Sequence, residues 1–279
     1  MINSQLKEIN KKINILKVKN LDETTALNYL KIIDIPISYT NPFKIALADS
    51  ANYVLKSLNY AHELCLKKKI KGFINCPIDK KLIKTKKIHG VTEYLAQKSK
   101  IKFSTEVMML HNKALSVVPI TTHISVKDVS KNITVNIIVK KINTLNKEFN
   151  RLFKKKPKIA ILGMNPHNNE LSKKSEEMTK IIPAINKLKK SGFNIKGPIV
   201  ADTIFIEDYK KYNVIVGMYH DQVLIPFKTL FKFDAINITL GLNYTRVSPD
   251  HGTALNLIRK NKANCLSLLQ CIKFINNLN

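Results

Sequence analysis

The chain contains no tryptophan, eight glycines, four cysteines and three arginines among 279 residues. Each scarcity excludes something. No glycine precedes Gly72 and the eight never fall at GxGxxG spacing, so the glycine-rich dinucleotide turn is ruled out. Cys65, Cys76, Cys265 and Cys271 show no CxxC spacing and read as reduced core residues. No segment has the uninterrupted apolar length of a membrane span, and the start, MINSQLKEINKK, lacks the apolar stretch of a secretory signal, so the expected compartment is the cytoplasm. The formal charge of +27 rests almost wholly on lysine, since Arg151, Arg246 and Arg259 are the only arginines. Base-edge and phosphate recognition favours the planar arginine fork, and the aromatics do not interleave with the lysine clusters at Lys67 to Lys69 and Lys154 to Lys156. Those clusters read as solvated faces, and no nucleic-acid partner is expected. The positive field instead draws in anionic substrates.

What is present is a large apolar complement, 44% of the residues, enough for an α/β protein of two lobes. The first residues read as an amphipathic helix giving way to a short strand near Ile15 to Val18. Apolar residues recur at helical spacing from Ser50 to Leu66, and Gly72 to Cys76 reads as a buried strand. Val107 to Leu110 and Leu115 to Ile120 follow as consecutive strands, then one long amphipathic helix from Val129 through Phe153. Lys158 to Leu162 is a strand, Ser175 to Lys190 a helix kinked or broken at Pro183, and Val214 to Met218 a strand. Ala235 to Leu240 and Arg246-Val247 are shorter strands, with helices at Ala254 to Arg259 and Cys265 to Leu278. Repeated βα units of this kind predict a mainly parallel sheet covered by helices.

Three of the seven histidines share one local setting. His123 (TTH), His167 (NPH) and His220 (MYHDQ) each follow an apolar, β-branched run. Strands ending at one sheet edge can aim separate imidazoles at one point, as an open metal site needs; each alone reads rather as a hydrogen-bonded structural or surface histidine, and only the three together bring the metal reading level. Asp202 and Asp221 could orient imidazoles or accept a proton, or simply cap turns. Lys228, Asn237 and Arg246 offer a point charge, an amide and a guanidinium suited to a phosphate monoester; Lys228 alone reads as a surface lysine.

The series NCPIDKKLI, GVTEYLA, TTHISVKDV, ILGMNPHNNE, GPIVADTIF, MYHDQVLIPFK, INITLGL, TRVSPDHGTAL resembles the 4-hydroxythreonine-4-phosphate dehydrogenase family in order and spacing from about Leu47 onward. The resemblance implies a two-lobed α/β/α fold of the isocitrate and isopropylmalate dehydrogenase type, with a mainly parallel sheet and a cleft between lobes formed by 1–90 plus 245–279 and by 91–244. It implies metal ligands His123, His167 and His220, substrate contacts from Thr92, Lys228, Asn237 and Arg246, and active-site carboxylates Asp202 and Asp221. It also implies a homodimer with the active site at the subunit interface and ligands from both chains, NAD as cofactor, and a divalent zinc, magnesium or cobalt ion. The reaction implied is oxidation of 4-phosphooxy-L-threonine to 2-amino-3-oxo-4-phosphooxybutyrate, which loses carbon dioxide to give 3-amino-2-oxopropyl phosphate in pyridoxal 5′-phosphate synthesis. The segment DHGTALNLIRKNKAN is similar to the cofactor loop of the isocitrate and isopropylmalate dehydrogenases, which sets His251 near the adenine end of NAD.

Two departures stand out. The family carries histidine directly before its substrate threonine, in a GHTE run, where this chain has Val91, whose side chain donates no hydrogen bond; His89 lies two residues earlier. The family's amino-terminal strand and glycine- and proline-rich turn have no counterpart before the helix at Gln5. The alternatives kept are a dehydrogenase of a phosphorylated sugar acid, threonate or erythronate phosphate, and an inactive, truncated metal-binding remnant.

Overall fold

The structure, a computed structural model, describes residues 1–21, 28–83, 90–99 and 105–278. The chain opens with α1 (Ile2–Glu8), then β1 (Ile15–Lys17) and β2 (Leu30–Ile32), which pair in parallel as a small sheet of their own. Next come α2 (Leu47–Leu66), β3 (Gly72–Ile74), α3 (Val91–Lys98), β4 (Val107–His111) and β5 (Ser116–Pro119). Then follow α4 (Val129–Asn132), α5 (Val135–Phe153), β6 (Ile159–Leu162), α6 (Ile182–Lys190), β7 (Ile195–Ile199), α7 (Ala201–Ile204), β8 (Val214–Gly217) and α8 (His220–Phe231). The last elements are β9 (Ile236–Leu240), β10 (Thr245–Pro249) and α9 (Leu266–Asn276).

The main sheet has the order β3-β10-β9-β4-β5-β8-β6-β7. The expected α/β class and mainly parallel sheet are what the chain forms: β5, β8, β6 and β7 run parallel, as do β3 and β10. The three pairings in between, β10 with β9, β9 with β4 and β4 with β5, are antiparallel. The β4–β5 reversal follows from its short connection, closed by mutual backbone hydrogen bonds between Asn112 and Leu115; a parallel return needs a crossover of a dozen residues or so.

Both faces of the parallel half are covered. In β6, Ile159 and Ile161 join one apolar cluster with Ile138, Ile142 and Leu145 of α5 and Leu188 of α6, while Ala160 and Leu162 join a second with Val223, Leu224 and Phe227 of α8. β8 divides the same way, Val214 and Val216 against Ile215. This is why these strands read as continuous apolar runs, and it makes the region three layers, helix on sheet on helix.

Three expected elements differ in detail. The long helix from Val129 is two, because Ile133 is extended and the Thr134 hydroxyl accepts from Ile137 N at 3.2 Å, capping a new start. The Pro183 break is a π-helical turn over 177–181, after which α6 begins with Pro183 in its first turn, where its missing N–H costs nothing. The helix expected over Ala254 to Arg259 is only a single tight turn at Leu255–Leu257; most of this segment is exposed, with no apolar stripe buried to sustain a helix. No helix among the described residues is long and apolar enough to cross a membrane.

Candidate metal and substrate site

β5 and β8 are parallel neighbours, and their pairing runs past the strands proper: Ile120 N donates to Gly217 O and Thr121 N to Met218 O. The Thr121 hydroxyl also donates to Met218 O at 2.7 Å. The two chains therefore leave the sheet together, and His123 and His220 emerge side by side with ring centroids 5.9 Å apart. His220 starts α8, and its Nδ1 lies 2.6 Å from Asp221 Oδ1. A carboxylate only accepts, so this bond sets the proton on Nδ1 and leaves the Nε2 lone pair outward. Glu93 Oε1 stands 3.8 Å from His123 Nδ1.

His167 follows β6, the next strand over, at the same edge of the sheet. It opens a turn in which 167–171 all adopt left-handed backbone, φ between 48 and 57°. Such a run is costly for residues with a Cβ, and it is tied down by Asn168 Nδ2 donating to Pro198 O and Ser172 N to Asn169 O. Gly163, at the base of the turn, leaves room for this arrangement, since a Cβ there would lie 2.0 Å from Asn168 Oδ1 and push that side chain off Pro198 O. The His167 ring is largely exposed, 3.8 Å from Glu170. No ring contact joins it to His123 or His220, and among the described residues of one chain no three His, Cys, Asp or Glu side chains gather closely enough to hold a metal.

The substrate-type residues come from strand interiors. Along β9 and β10, Ile236, Ile238, Leu240 and Val247 point into the core cluster, so Asn237, Thr239, Arg246 and Ser248 share the opposite face. Arg246 is only 3% exposed. Its Nε donates to Asn75 Oδ1 at 2.6 Å and its Nη1 to Thr239 Oγ1 at 2.9 Å, and Thr92 Oγ1 lies 3.4 Å from that same hydroxyl. Burial draws the guanidinium pKa down to about 10, which leaves it charged at neutral pH. No carboxylate among the described residues lies within ion-pair distance of it. Asn237 Oδ1 is buried without a hydrogen-bond partner. Lys228 reaches Asp250, Nζ to Oδ2 at 3.0 Å; burial pushes the Asp250 pKa up and Lys228 opposes it.

The remaining expected residues are placed apart from this network. Asp202 is exposed in the first turn of α7. His251, after β10, has Nδ1 3.0 Å from Gly252 O and its ring edge-on to Phe233. Val91 packs against the Leu58, Phe73 and Leu95 cluster, while His89 lies outside the described residues. Asn75 and Thr239 were not singled out from the sequence, although the alternation in INITL already sets Thr239 on the face of Asn237.

By donor chemistry the residues suit a divalent ion: imidazoles are borderline ligands, and His220 is held by a carboxylate in the tautomer that ligation needs, although one chain brings only His123 and His220 together.

Comparison with known proteins gives the site its context. The family model described as pyridoxal phosphate biosynthetic protein PdxA matches residues 1–275. A protein of Aquifex aeolicus named 4-hydroxythreonine-4-phosphate dehydrogenase is 37% identical over 277 residues, spanning 96% of this chain and 83% of its own length. One of the same name from Sulfurihydrogenibium is 37% identical over 267 residues, 94% of this chain and 81% of that one. Among solved structures, 4-hydroxythreonine-4-phosphate dehydrogenase from Klebsiella pneumoniae superposes with a TM-score of 0.86 at 26% identity, covering 99% of this chain and 86% of that one.

Proposed function

The chain belongs to the pyridoxal phosphate biosynthetic protein PdxA family, and on that premise we propose that it oxidises 4-phosphooxy-L-threonine with NAD. The observation that carries this reading is Arg246: a buried, charged guanidinium with no carboxylate partner among the described residues, on one sheet face with an unsatisfied Asn237 amide oxygen. A buried cation left without a counter-charge is costly, so a bound anion is its natural complement. The substrate's phosphate or carboxylate supplies that charge, and Asn237 Oδ1 accepts from its ammonium or hydroxyl.

The reaction removes a hydride from the carbinol carbon, accepted by NAD, and a proton from its hydroxyl; the 3-oxo acid formed then loses carbon dioxide to give 3-amino-2-oxopropyl phosphate. His123, His167 and His220 would hold a divalent ion, which when bound would supply Lewis acidity toward the alcohol and ketone oxygen. Thr92 and Lys228 complete the substrate contacts, and Asp250 keeps the Lys228 ammonium in place at 3.0 Å. Asp221 orients His220; Asp202, exposed in α7, is the second proposed active-site carboxylate and would take the proton, and His251 would serve the adenine end of NAD. Because His167 shares the sheet edge without meeting the other two imidazoles, the proposed active form is a homodimer that completes each ligand set across its interface. Four free thiols accord with a reducing, cytoplasmic setting.

The test is NADH formation by the purified dimer with 4-phosphooxy-L-threonine and added zinc, magnesium or cobalt. Turnover of erythronate or threonate phosphate in its place favours the sugar-acid reading, for which Val91 is the specific observation, because it turns an apolar side chain to the Leu58 cluster where the family has a hydrogen-bonding ring. A metal-loaded dimer silent on all of these substrates supports the inactive remnant.

A further inference from the structure

The turn that carries His167 is gripped from beneath by a carboxylate no part of the reaction uses. Glu177 is 0% exposed, yet it is fully satisfied. Its Oε1 accepts from Met164 N at 2.8 Å and Asn165 N at 2.9 Å, and its Oε2 from Asn165 Nδ2 at 3.0 Å. Burial alone raises the pKa of this carboxyl, but the Asn165 and Met164 donors outweigh it and leave the group below its ordinary value, hence ionised. The neighbouring Glu176 takes the same Asn165 amide at 2.9 Å and a hydrogen bond from Ser130, so Asn165 is held by both carboxylates.

The other side of the turn is held by Gln222, two residues after His220. Its Oε1 accepts from Met218 N at 2.7 Å and its Nε2 donates to Gly163 O at 2.7 Å. Gly163 to Asn165 is therefore fixed at three consecutive residues, by Gln222 in the first turn of α8 and by Glu177 from the helical segment behind. The absence of a Cβ at Gly163 is part of the same fit, since that atom would lie 3.2 Å from Glu177 Oε1. Packing a helix against a strand end requires none of this. An apolar residue at 177 would fill the space without burying a charge, and a buried carboxylate is retained at a cost unless its geometry is needed.

We propose that Glu177 and Gln222 are positioning residues that form one clamp tying the His167 turn to the first turn of α8, so that His167 is held where it can complete the ligand set across the subunit interface, and that the clamp so sets the affinity of the dimer's three-histidine sites for their divalent ion. The inference rests on the metal reading of those histidines, and its experiment is read by metal binding as well as by turnover.

In Glu177→Gln the side chain keeps its shape, but one acceptor becomes a donor facing the Asn165 amide. In Gln222→Glu a donor becomes an acceptor facing Gly163 O. Cobalt titration of the dimer, followed by absorption and calorimetry, is expected to show a dissociation constant raised by up to about tenfold in either variant, at or below the low end of the range for losing a partner bonded directly to a ligand. Turnover at saturating cobalt is expected to return to within about threefold of wild type with an unchanged substrate KM, a split that general loosening of the fold does not produce. Gln222→Glu carries the test alone if Glu177→Gln does not fold. Unchanged cobalt affinity in a folded variant overturns the clamp. A wild-type dimer that binds no cobalt overturns the metal reading and the clamp together, whereas one that binds cobalt but leaves 4-phosphooxy-L-threonine untouched, with weakened binding in the variants, upholds the clamp and sinks only the substrate reading.

Discussion

The two halves of the main sheet deliver their chemistry in different ways. In the parallel half, β5, β8 and β6 all point the same way, and their polar residues stand just beyond their ends, at His123, at His220 where α8 begins, and at His167. In the antiparallel stretch, β9 and β10 run in opposite directions, and their polar residues, Asn237, Thr239 and Arg246, sit inside the strands on one shared face. Loop-borne ligands gain reach and freedom, and need outside bonds such as Asp221 to His220 to hold them. Strand-borne ligands are fixed by the ladder itself, at the cost of burying a guanidinium. The histidine end is thus expected to tolerate substitution in its supports with graded losses, and the arginine face to fail sharply.

The largest effect is expected at Arg246. Truncation to alanine removes a charged donor, strands Asn75 and Thr239, and on the proposed reading leaves the substrate anion without its buried partner. kcat/KM is expected to fall by about 10²–10³, roughly 3–4 kcal/mol, chiefly through KM. Arg246→Lys recovers little, because a point charge cannot bond Asn75 and Thr239 together from one planar group. Steady-state kinetics with varied substrate decides it, and a lysine variant near wild type would remove the strand-borne fork from the account.

His111 probes the same antiparallel stretch through stability. It ends β4, bonded through Nδ1 to Ser116 Oγ at 2.8 Å and packed on Phe153 and Phe274. Burial, with the Lys155 charge assisting, draws its pKa from 6.5 down to about 4. Between those values the unfolded chain binds a proton that the folded chain does not, so stability falls as pH drops from about 6.5 toward 4 and levels off below. The loss is expected to reach the order of 3 kcal/mol, read from denaturant midpoints across pH, and His111→Gln should flatten that slope. An unchanged slope in the variant would assign the acid sensitivity elsewhere.

At the loop-borne end the expected effect is smaller. Asp221 is well exposed, so Asp221→Ala is expected to weaken metal binding about tenfold, the low end for a partner of a ligating histidine, with Asp221→Asn losing less because its amide oxygen still accepts from Nδ1. Metal titration of both variants checks the order. Equal losses would mean that charge, not orientation, is what Asp221 supplies.

What could be read from the sequence follows the same division. β5, β6 and β8 announced themselves as unbroken apolar runs because both faces are buried, and a histidine after each run was visible at once, whereas β7, with Lys196, Gly197 and Pro198 in it at the sheet edge, was not legible as a strand. Arg246 stood out by the rarity of arginine. Its partners did not: Asn75 lies 171 residues away in a motif marked only by its resemblance, and Thr239 needed the period of two in INITL to be followed through. Glu177 and Gln222 were invisible as anchors, because a glutamate in a first helical turn has a sufficient local reason in the helix dipole. Only the fold shows its carboxylate turned inward to the Met164 and Asn165 amides. The break at Ile133 was hidden for a related reason: the apolar spacing continues across it, and a threonine cap is a local hydrogen bond that periodicity does not register.

Val91 gives the smallest and most discriminating test between the two regions. It opens α3, one residue before Thr92, whose hydroxyl meets Thr239 on the arginine face, while its own side chain packs the other way, on Leu58, Phe73 and Leu95. Restoring the family's histidine at this place trades apolar burial for a polar ring. Val91→His is therefore expected to cost about 1 kcal/mol of stability, seen as a melting temperature lower by a few degrees. If substrate recognition on this face is complete in Thr92, Asn237 and Arg246, KM for 4-phosphooxy-L-threonine changes by less than about threefold, under 1 kcal/mol. A tenfold fall in KM would instead mean that the imidazole swings to the substrate side and supplies a contact the present chain lacks, and the preferred substrate of the wild-type chain would then be sought among phosphorylated hydroxy acids that do not require it.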